Sequence, residues 1–397
     1  MTNGAPIWSP VNYFVNVRMV VRLHFYTAST KCSYKSIANG YDVWYNIPKQ
    51  MYASEVRNMG AKLHKQFQDF HDTIKLDKES SLLKEKRETL QSDIESKLPG
   101  KLESIGIQIT KSNLHFFDQG SYRKNVSTGI VCDTPDRDVA VDFELDIDTH
   151  DDPRKIKKCV RDALKIENKR NPLIKEPCVT VKYMQAGEEK IHIDFPIYAK
   201  HNGNYYLARG KEFSQSYEWE HCDPNGLNDH LDNLFAGTEG NQLRRIVRYL
   251  KKWKLKNYGD SYSKDQLPPS IALTLMAGDV FSYKTADGQD DDLAALSAVV
   301  KGIKNKFSYD WETDKYTISY SLPVRPWSNV FYKMTADYQD RFYKKWCALC
   351  TKIQNAVDAS EEYEAAKFLQ DVFGTDFELP PKPQAKTGAA RNEYSYA

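Results

Sequence analysis

Between residues 138 and 148 apolar and polar positions alternate without a slip. Val139, Val141, Phe143, Leu145 and Ile147 point one way, and Asp138, Ala140, Asp142, Glu144, Asp146 and Asp148 the other. A period of two is that of a strand with one buried face. Upstream the period is helical. From Met51, the residues Val56, Met59, Leu63, Phe67, Phe70 and Ile74 recur at three and four positions, as one buried stripe requires. Leu83, Leu90, Ile94 and Leu98 mark a second, highly charged helix over 79–98, which Pro99-Gly100 is expected to end. Ile105–Ile109 and Leu114–Phe117 read as strands, and the interval 121–127 reads as the start of a short helix after Gly120.

Beyond the alternating strand, Asp152-Pro153 opens an amphipathic helix with Ile156, Val160 and Leu164. Two strands follow, Cys178–Met184 and Lys190–Tyr198, joined by the turn-rich QAGEE. Helix, strand, strand with short connections predicts a mixed sheet backed by helices. After about Lys200 the helical period dominates: Asn241–Lys256, Ser270–Tyr283, Leu293–Phe307, Phe331–Ser360 and Glu361–Phe373, interrupted by the polar, extended stretch Ser308–Ser321. No internal repeat is present. The expected organisation is an N-terminal extension over 1–45, an α+β core with leading helices over 46–200, a helical domain over 201–378 and a disordered tail over 379–397.

Composition narrows the class. The chain has 397 residues, 41% hydrophobic and 28% charged, with a net charge of +2. That is a soluble globular composition without a global field favouring DNA or membranes. Val11–Tyr26 is apolar, but Arg18, Arg22 and His24 interrupt it; it reads as a strand or a poorly integrated extension and is too short for a membrane span. The seven cysteines are scattered, and the Cys347/Cys350 spacing falls inside a helix with no second pair. Reduced thiols in a cytoplasmic protein fit this better than zinc or disulfides.

The candidate chemistry lies in GSYRKNVSTGIVCDTPDRD, residues 120–138. Asp142, Asp146 and Asp148 read as the solvated polar face of a half-exposed strand. Asp136 and Asp138 differ, because they stand at alternate positions where the strand begins and share one side. Two such carboxylates can share divalent cations, whose charge offsets their mutual repulsion. Magnesium suits oxygen ligands that work together with substrate phosphates, with manganese as a substitute. Asp194, in the apolar run Ile193-Asp194-Phe195-Pro196-Ile197, is the candidate third ligand, since a carboxylate there is costly unless paired or metal-bound. His192 shares its parity and reads as a neighbour. Gly120 permits a tight turn, Ser121 can cap a helix or bind a phosphate, and Arg123 and Lys124 add positive charge.

Together, QGSYR at 119–123, DRDVAVDFELD at 136–146 and IHIDFPIY at 191–198 resemble the nucleotidyltransferase superfamily of poly(A) polymerase, oligoadenylate synthase and cyclic GMP-AMP synthase. They are most similar to the bacterial CD-NTases, the cyclic-oligonucleotide synthases of CBASS antiphage defence. RRIVRYLKKWK at 244–254, LPPSIALTLMA at 267–277 and the late VFGTDFELP resemble the helical domain of those enzymes, and the likeness spans about residues 50–378. It implies a polymerase-beta-like mixed-sheet core and a C-terminal helical domain, bilobal with a central cleft. It places the metal pair at 136 and 138 rather than at Asp142 and Glu144. It further implies two magnesium ions on Asp136, Asp138 and Asp194, with Lys251 and Ser270 near the donor triphosphate.

The implied reaction joins nucleoside triphosphates, as donor and acceptor, into a cyclic di- or trinucleotide messenger with release of pyrophosphate. A separate effector would sense the product, and a regulatory protein could act on the enzyme. Nucleic acid is not the expected partner, although the cations around Arg244–Lys256 could equally bind it. The sequence departs from the family at Arg137, where an apolar residue is usual, and at 125–128, where a GT is common. An arginine there would reach solvent or pair with an acidic neighbour. Two other readings share the same carboxylates: a transferase making a linear product on RNA or a small acceptor, and a weakly active interaction module.

Overall fold

The computed structural model describes residues 31–38, 41–48, 59–60, 62–76, 80–120, 136–185, 188–259 and 262–382. The expectations for Val11–Tyr26, for a helix start over 121–127 and for the tail past 382 lie outside the described residues. The chain divides into two compact units, Met1–Arg57 and Asn58–Ala397. In the first, β1 (Lys31–Ala38) and β2 (Tyr41–Pro48) form an antiparallel hairpin with Lys31 opposite Pro48 and Ala38 opposite Tyr41.

The second unit holds a mixed sheet and a helical C-terminal region, each with its own core. The sheet is built from β3 (His115–Gln119), β4 (Asp136–Glu144), β5 (Leu173–Ile174), β6 (Val179–Gln185), β7 (Glu188–Phe195), β8 (Ile197–His201), β9 (Asn204–Arg209) and β10 (Glu218–Cys222). β3 runs antiparallel along one side of β4. On the other side β4 pairs in parallel first with β7 and then with β8. β7 and β8 are thus two halves of one strand line, broken at Pro196, whose carbonyl still accepts from the Val141 amide at 2.9 Å. Beyond that line the sheet splits, with β6 and β5 continuing from β7, and β9 and β10 from β8.

One face of the sheet is covered by α2 (Ser81–Glu103) and α3 (Pro153–Leu164). Val139, Val141, Phe143, Val181, Ile193 and Phe195 pack there against Leu90, Ile94, Leu98, Ile156 and Val160. Asp152 caps α3 by accepting from the Arg154 amide, with Pro153 in the first turn. α2 does not end at Pro99-Gly100. Pro99 lies inside the helix, and the buried stripe continues from Leu98 to Leu102. A proline in a helix costs about 3 kcal/mol, so the continued burial outweighs the break. The strand expected at 105–109 is instead turn and coil carrying the buried Ile107, and the alternating strand stops at Glu144.

The second core gathers α1 (His64–Ile74) with α4 (Pro224–Leu234), α5 (Gly237–Asn257), α6 (Ser270–Val280), α7 (Asp292–Lys304), α8 (Ala336–Asp358) and α9 (Glu362–Phe373). α1 precedes the sheet in sequence yet packs here, with the Phe67 and Phe70 rings 5.4 and 5.3 Å from Tyr249. The sheet likewise continues past residue 200, through Cys222, because β9 and β10 extend the edge of β8. Among the described residues no helix is long and apolar enough to cross a membrane, and Cys347 and Cys350 on α8 are free thiols.

Candidate active site

The face of the sheet opposite α2 and α3 carries the carboxylates. Parallel pairing of β4 with β7 sets Asp136 opposite His192 and Asp138 opposite Asp194. In-register residues of neighbouring strands project to the same face, so the two aspartates of β4 and Asp194 share one surface although 56 positions separate Asp138 from Asp194 in sequence. The row continues outward in both directions, with Gln119 of β3 opposite Asp138 and Thr180 of β6 opposite Asp194. The carboxylate of Asp136, and Ser121 and Arg123 altogether, lie outside what the structure describes.

Gly120 adjoins this row with φ +72°, a left-handed backbone that glycine tolerates best. A Cβ placed on it would lie 2.2 Å from the Oδ2 of Asp138. Gly120 therefore lies directly against the Asp138 carboxylate, which a side chain at this position would displace. Asp194 is 9% exposed. Its Oδ1 accepts from the Thr180 hydroxyl, and the Lys175 ammonium lies 3.3 and 3.5 Å from its two oxygens. The cost of burying a carboxylate is thus met by a hydroxyl and a cation. Burial, and then the charge of Asp194, push the Cys178 thiol up to about 12, which removes it as a nucleophile. The Tyr198 hydroxyl shares a hydrogen bond with the Gln119 side chain, and burial keeps it protonated.

The other acids separate cleanly. Arg137 alternates away from the aspartates, is 6% exposed, and pairs with Asp118 at 2.7 Å. The substitution at the family's apolar position is accommodated on the opposite side from the site. Asp142 is not solvated strand edge: it is 2% exposed and holds the Lys200 ammonium at 2.7 Å. Asp146 and Asp148 leave the strand altogether. Asp146 accepts from the amides of Asp148 and Thr149 and from the Thr149 hydroxyl in a turn, close to His201. The Asp146–Asp148–His201 group could geometrically hold an ion, but it lies past the opposite end of β4 from Asp138.

From the helical region, Lys251 is buried on α5. Ser270 opens α6 directly after Pro269, and its hydroxyl accepts from Lys254 at 3.0 Å, one turn beyond Lys251. A cavity of about 870 Å³ lies between the split end of the sheet and this region, lined among others by Glu176, Arg209, Tyr217, Glu220, Ile271 and Tyr332. Gly120, Asp138, Asp194, Lys251 and Ser270 are not among its lining residues. Lys175 and Thr180 were not legible as site residues. Thr180 sits in CVTVKYM with only its strand parity as a signal, and Lys175 lies in a loop with none.

The donor set fits a hard divalent cation: carboxylate oxygens on strands that are held in register, next to a glycine. Asp136, Asp138 and Asp194 are the residues that would hold it.

Residues 114–198, which contain β3, β4, β7 and all three aspartates, match the family model for the nucleotidyltransferase domain of cyclic GMP-AMP synthase DncV-like proteins. No curated protein sequence matches the chain. Among solved structures, the CD-NTase CdnG of Bradyrhizobium diazoefficiens, in complex with GTP, is similar with a TM-score of 0.57 at 13% identity over 79% of this chain and 96% of that one. A double-aspartate variant of the Vibrio cholerae di-nucleotide cyclase DncV has a TM-score of 0.51 at 16% identity, over 83% of this chain and 89% of that one. A further DncV variant, bound to ATP and GTP, has 0.51 at 15%, over 83% and 90%. The α+β fold is the one these structures share, and residues 114–198 carry a DncV-like nucleotidyltransferase domain, the mark of a nucleotidyltransferase.

Proposed function

We propose that the chain joins nucleoside triphosphates, in a magnesium-dependent reaction, into a cyclic di- or trinucleotide that serves as a second messenger in CBASS-type antiviral signalling. The observation that carries this reading is the row Gly120, Asp138, Asp194: a glycine turn closed against one carboxylate, with a second carboxylate in register on the next strand. Asp136, Asp138 and Asp194 are the proposed ligands of two magnesium ions, for which manganese can substitute. When bound, such ions neutralise triphosphate charge and acidify the attacking hydroxyl.

The chain's own groups do the rest. Ser121 and Arg123, next to Gly120, are the proposed partners of the phosphate oxygens. Lys251 and Ser270 bind the donor triphosphate from the helical side. Thr180 and Lys175 orient Asp194. A dinucleotide ring requires two transfers and a trinucleotide ring three, the last from the free 3′ or 2′ hydroxyl onto the α-phosphate of the first nucleotide, each releasing pyrophosphate.

The test is incubation of the full chain with labelled ribonucleoside triphosphates and magnesium. A phosphatase-resistant product that disappears with EDTA supports the reading. A tailed RNA, or a product fully open to phosphatase, replaces it with a linear transferase.

A further inference from the structure

Lys157 lies on α3, on the side that packs against the sheet, and its side chain is fully buried. A buried lysine is costly unless every donor is met. An ammonium has three N–H donors, and here three backbone carbonyls receive them: Lys175 at 2.6 Å, Glu176 at 2.7 Å and Gly210 at 2.8 Å. At neutral pH the amine keeps its proton, although burial lowers its pKa to about 8.

These three carbonyls belong to the place where the sheet splits, the approach to β6 and the end of β9. The Gly210 amide also donates to the Glu176 carbonyl at 3.0 Å. From this pinned turn two side chains leave in different directions. Lys175 reaches Asp194. Glu176 binds Arg209 and the Lys333 ammonium, the latter at 3.0 Å, while Arg209 reaches the Tyr332 hydroxyl at 3.2 Å. Lys333 and Tyr332 belong to the helical half of the chain.

We propose that Lys157 is a positioning residue for Asp194, acting through the Lys175–Glu176 turn. By tying that turn to β9 it fixes where the Lys175 ammonium meets the carboxylate, and the same turn anchors the helical half through Glu176. The inference rests on the assignment of Asp194 to the active site.

A double-mutant cycle on the full chain tests it, using Lys157→Met, Lys175→Met, the double variant and Asp194→Asn. The readouts are kcat and KM from pyrophosphate release, Mn²⁺ binding by electron paramagnetic resonance, and Tm. Each single lysine variant is expected to lower kcat about tenfold or more with KM for nucleotide changed less than about threefold, and to weaken Mn²⁺ binding about tenfold, the scale of losing a group that orients a ligand. The double variant is expected to be no worse than the poorer single, because both changes break one path. The proposal is overturned if Lys157→Met lowers Tm alone, or if the two losses multiply. If Lys157→Met does not fold, Lys157→Gln, which keeps a donor, replaces it; unchanged kcat and Mn²⁺ affinity in Lys175→Met overturns the proposal by itself. Full activity in Asp194→Asn removes the site assignment and the proposal together, an outcome distinct from a failure confined to the lysines.

Discussion

The α-carbon of Gly120 faces the carboxylate of Asp138 so closely that a methyl group added to it would come within 2.2 Å of Oδ2. Gln119 is the register partner of Asp138, so the chain leaves β3 and turns across the carboxylate at once. Positive φ suits glycine at this position, and the absence of a side chain lets the Asp138 carboxylate lie directly against it.

Gly120→Ala should therefore damage activity more than stability. The left-handed backbone costs an alanine about 1 kcal/mol, and the methyl displaces the Asp138 carboxylate. We expect kcat to fall about a hundredfold or more while Tm drops by only a few degrees, measured by pyrophosphate release and calorimetry.

The carboxylates should separate by role. Asp138→Asn and Asp194→Asn should abolish turnover, by about a thousandfold or more, in proteins that remain folded. Asp142→Asn removes the charge that holds Lys200 at a nearly buried position and should destabilise by about 2 kcal/mol. Asp146→Asn and Asp148→Asn should leave the rate within about twofold. Equal losses in all five variants would show that the acidic run acts as one electrostatic patch.

Arg137 should be a stability residue. It projects away from the aspartates and pairs with Asp118, so Arg137→Leu should change Tm by several degrees and kcat by less than about threefold. A rate loss of a hundredfold in a folded Arg137→Leu protein would contradict the orientation described here.

Acid stability should carry a contribution from His71 on α1. Burial first, and the Arg248 guanidinium second, lower its pKa to about 4 from the usual 6.5. Arg248 donates to its Nε2, which fixes the neutral ring. Between about pH 6.5 and 4 the unfolded chain binds the proton and the folded chain does not, so this contribution to stability is present above 6.5 and is lost as pH falls through that window. The Tm difference between pH 7 and pH 5 should shrink in His71→Gln.

Much of this was legible in the chain. Strict alternation over 138–144 identified a one-sided strand, and it put Asp138 on the face away from Val139 and Val141, because strand parity is a local property. Asp152-Pro153 announced α3, since a capping side chain acts within its own turn. Local rules failed where distant packing overrode them. Pro99 sits inside α2 because Leu98 and Leu102 are buried together. Asp142 looked solvated but is enclosed with Lys200 from a strand 58 residues away. α1 adjoins the sheet-packing helix in sequence but packs with Tyr249 and Phe373.

The sequence by itself determined which residues have the chemistry for the site: a glycine at a turn, two alternating aspartates, and a third aspartate stranded in an apolar run. It did so because hydrogen-bonding and charge preferences act over a few residues. Only the tertiary structure decided that Asp138 and Asp194 are register partners, that Arg137 turns away from them, that Lys175 and Thr180 contact Asp194, and that Lys157 binds the carbonyls of Lys175, Glu176 and Gly210. Those relations depend on parallel strand pairing and on a buried lysine binding the carbonyls of two separate segments, contacts whose partners no local pattern specifies.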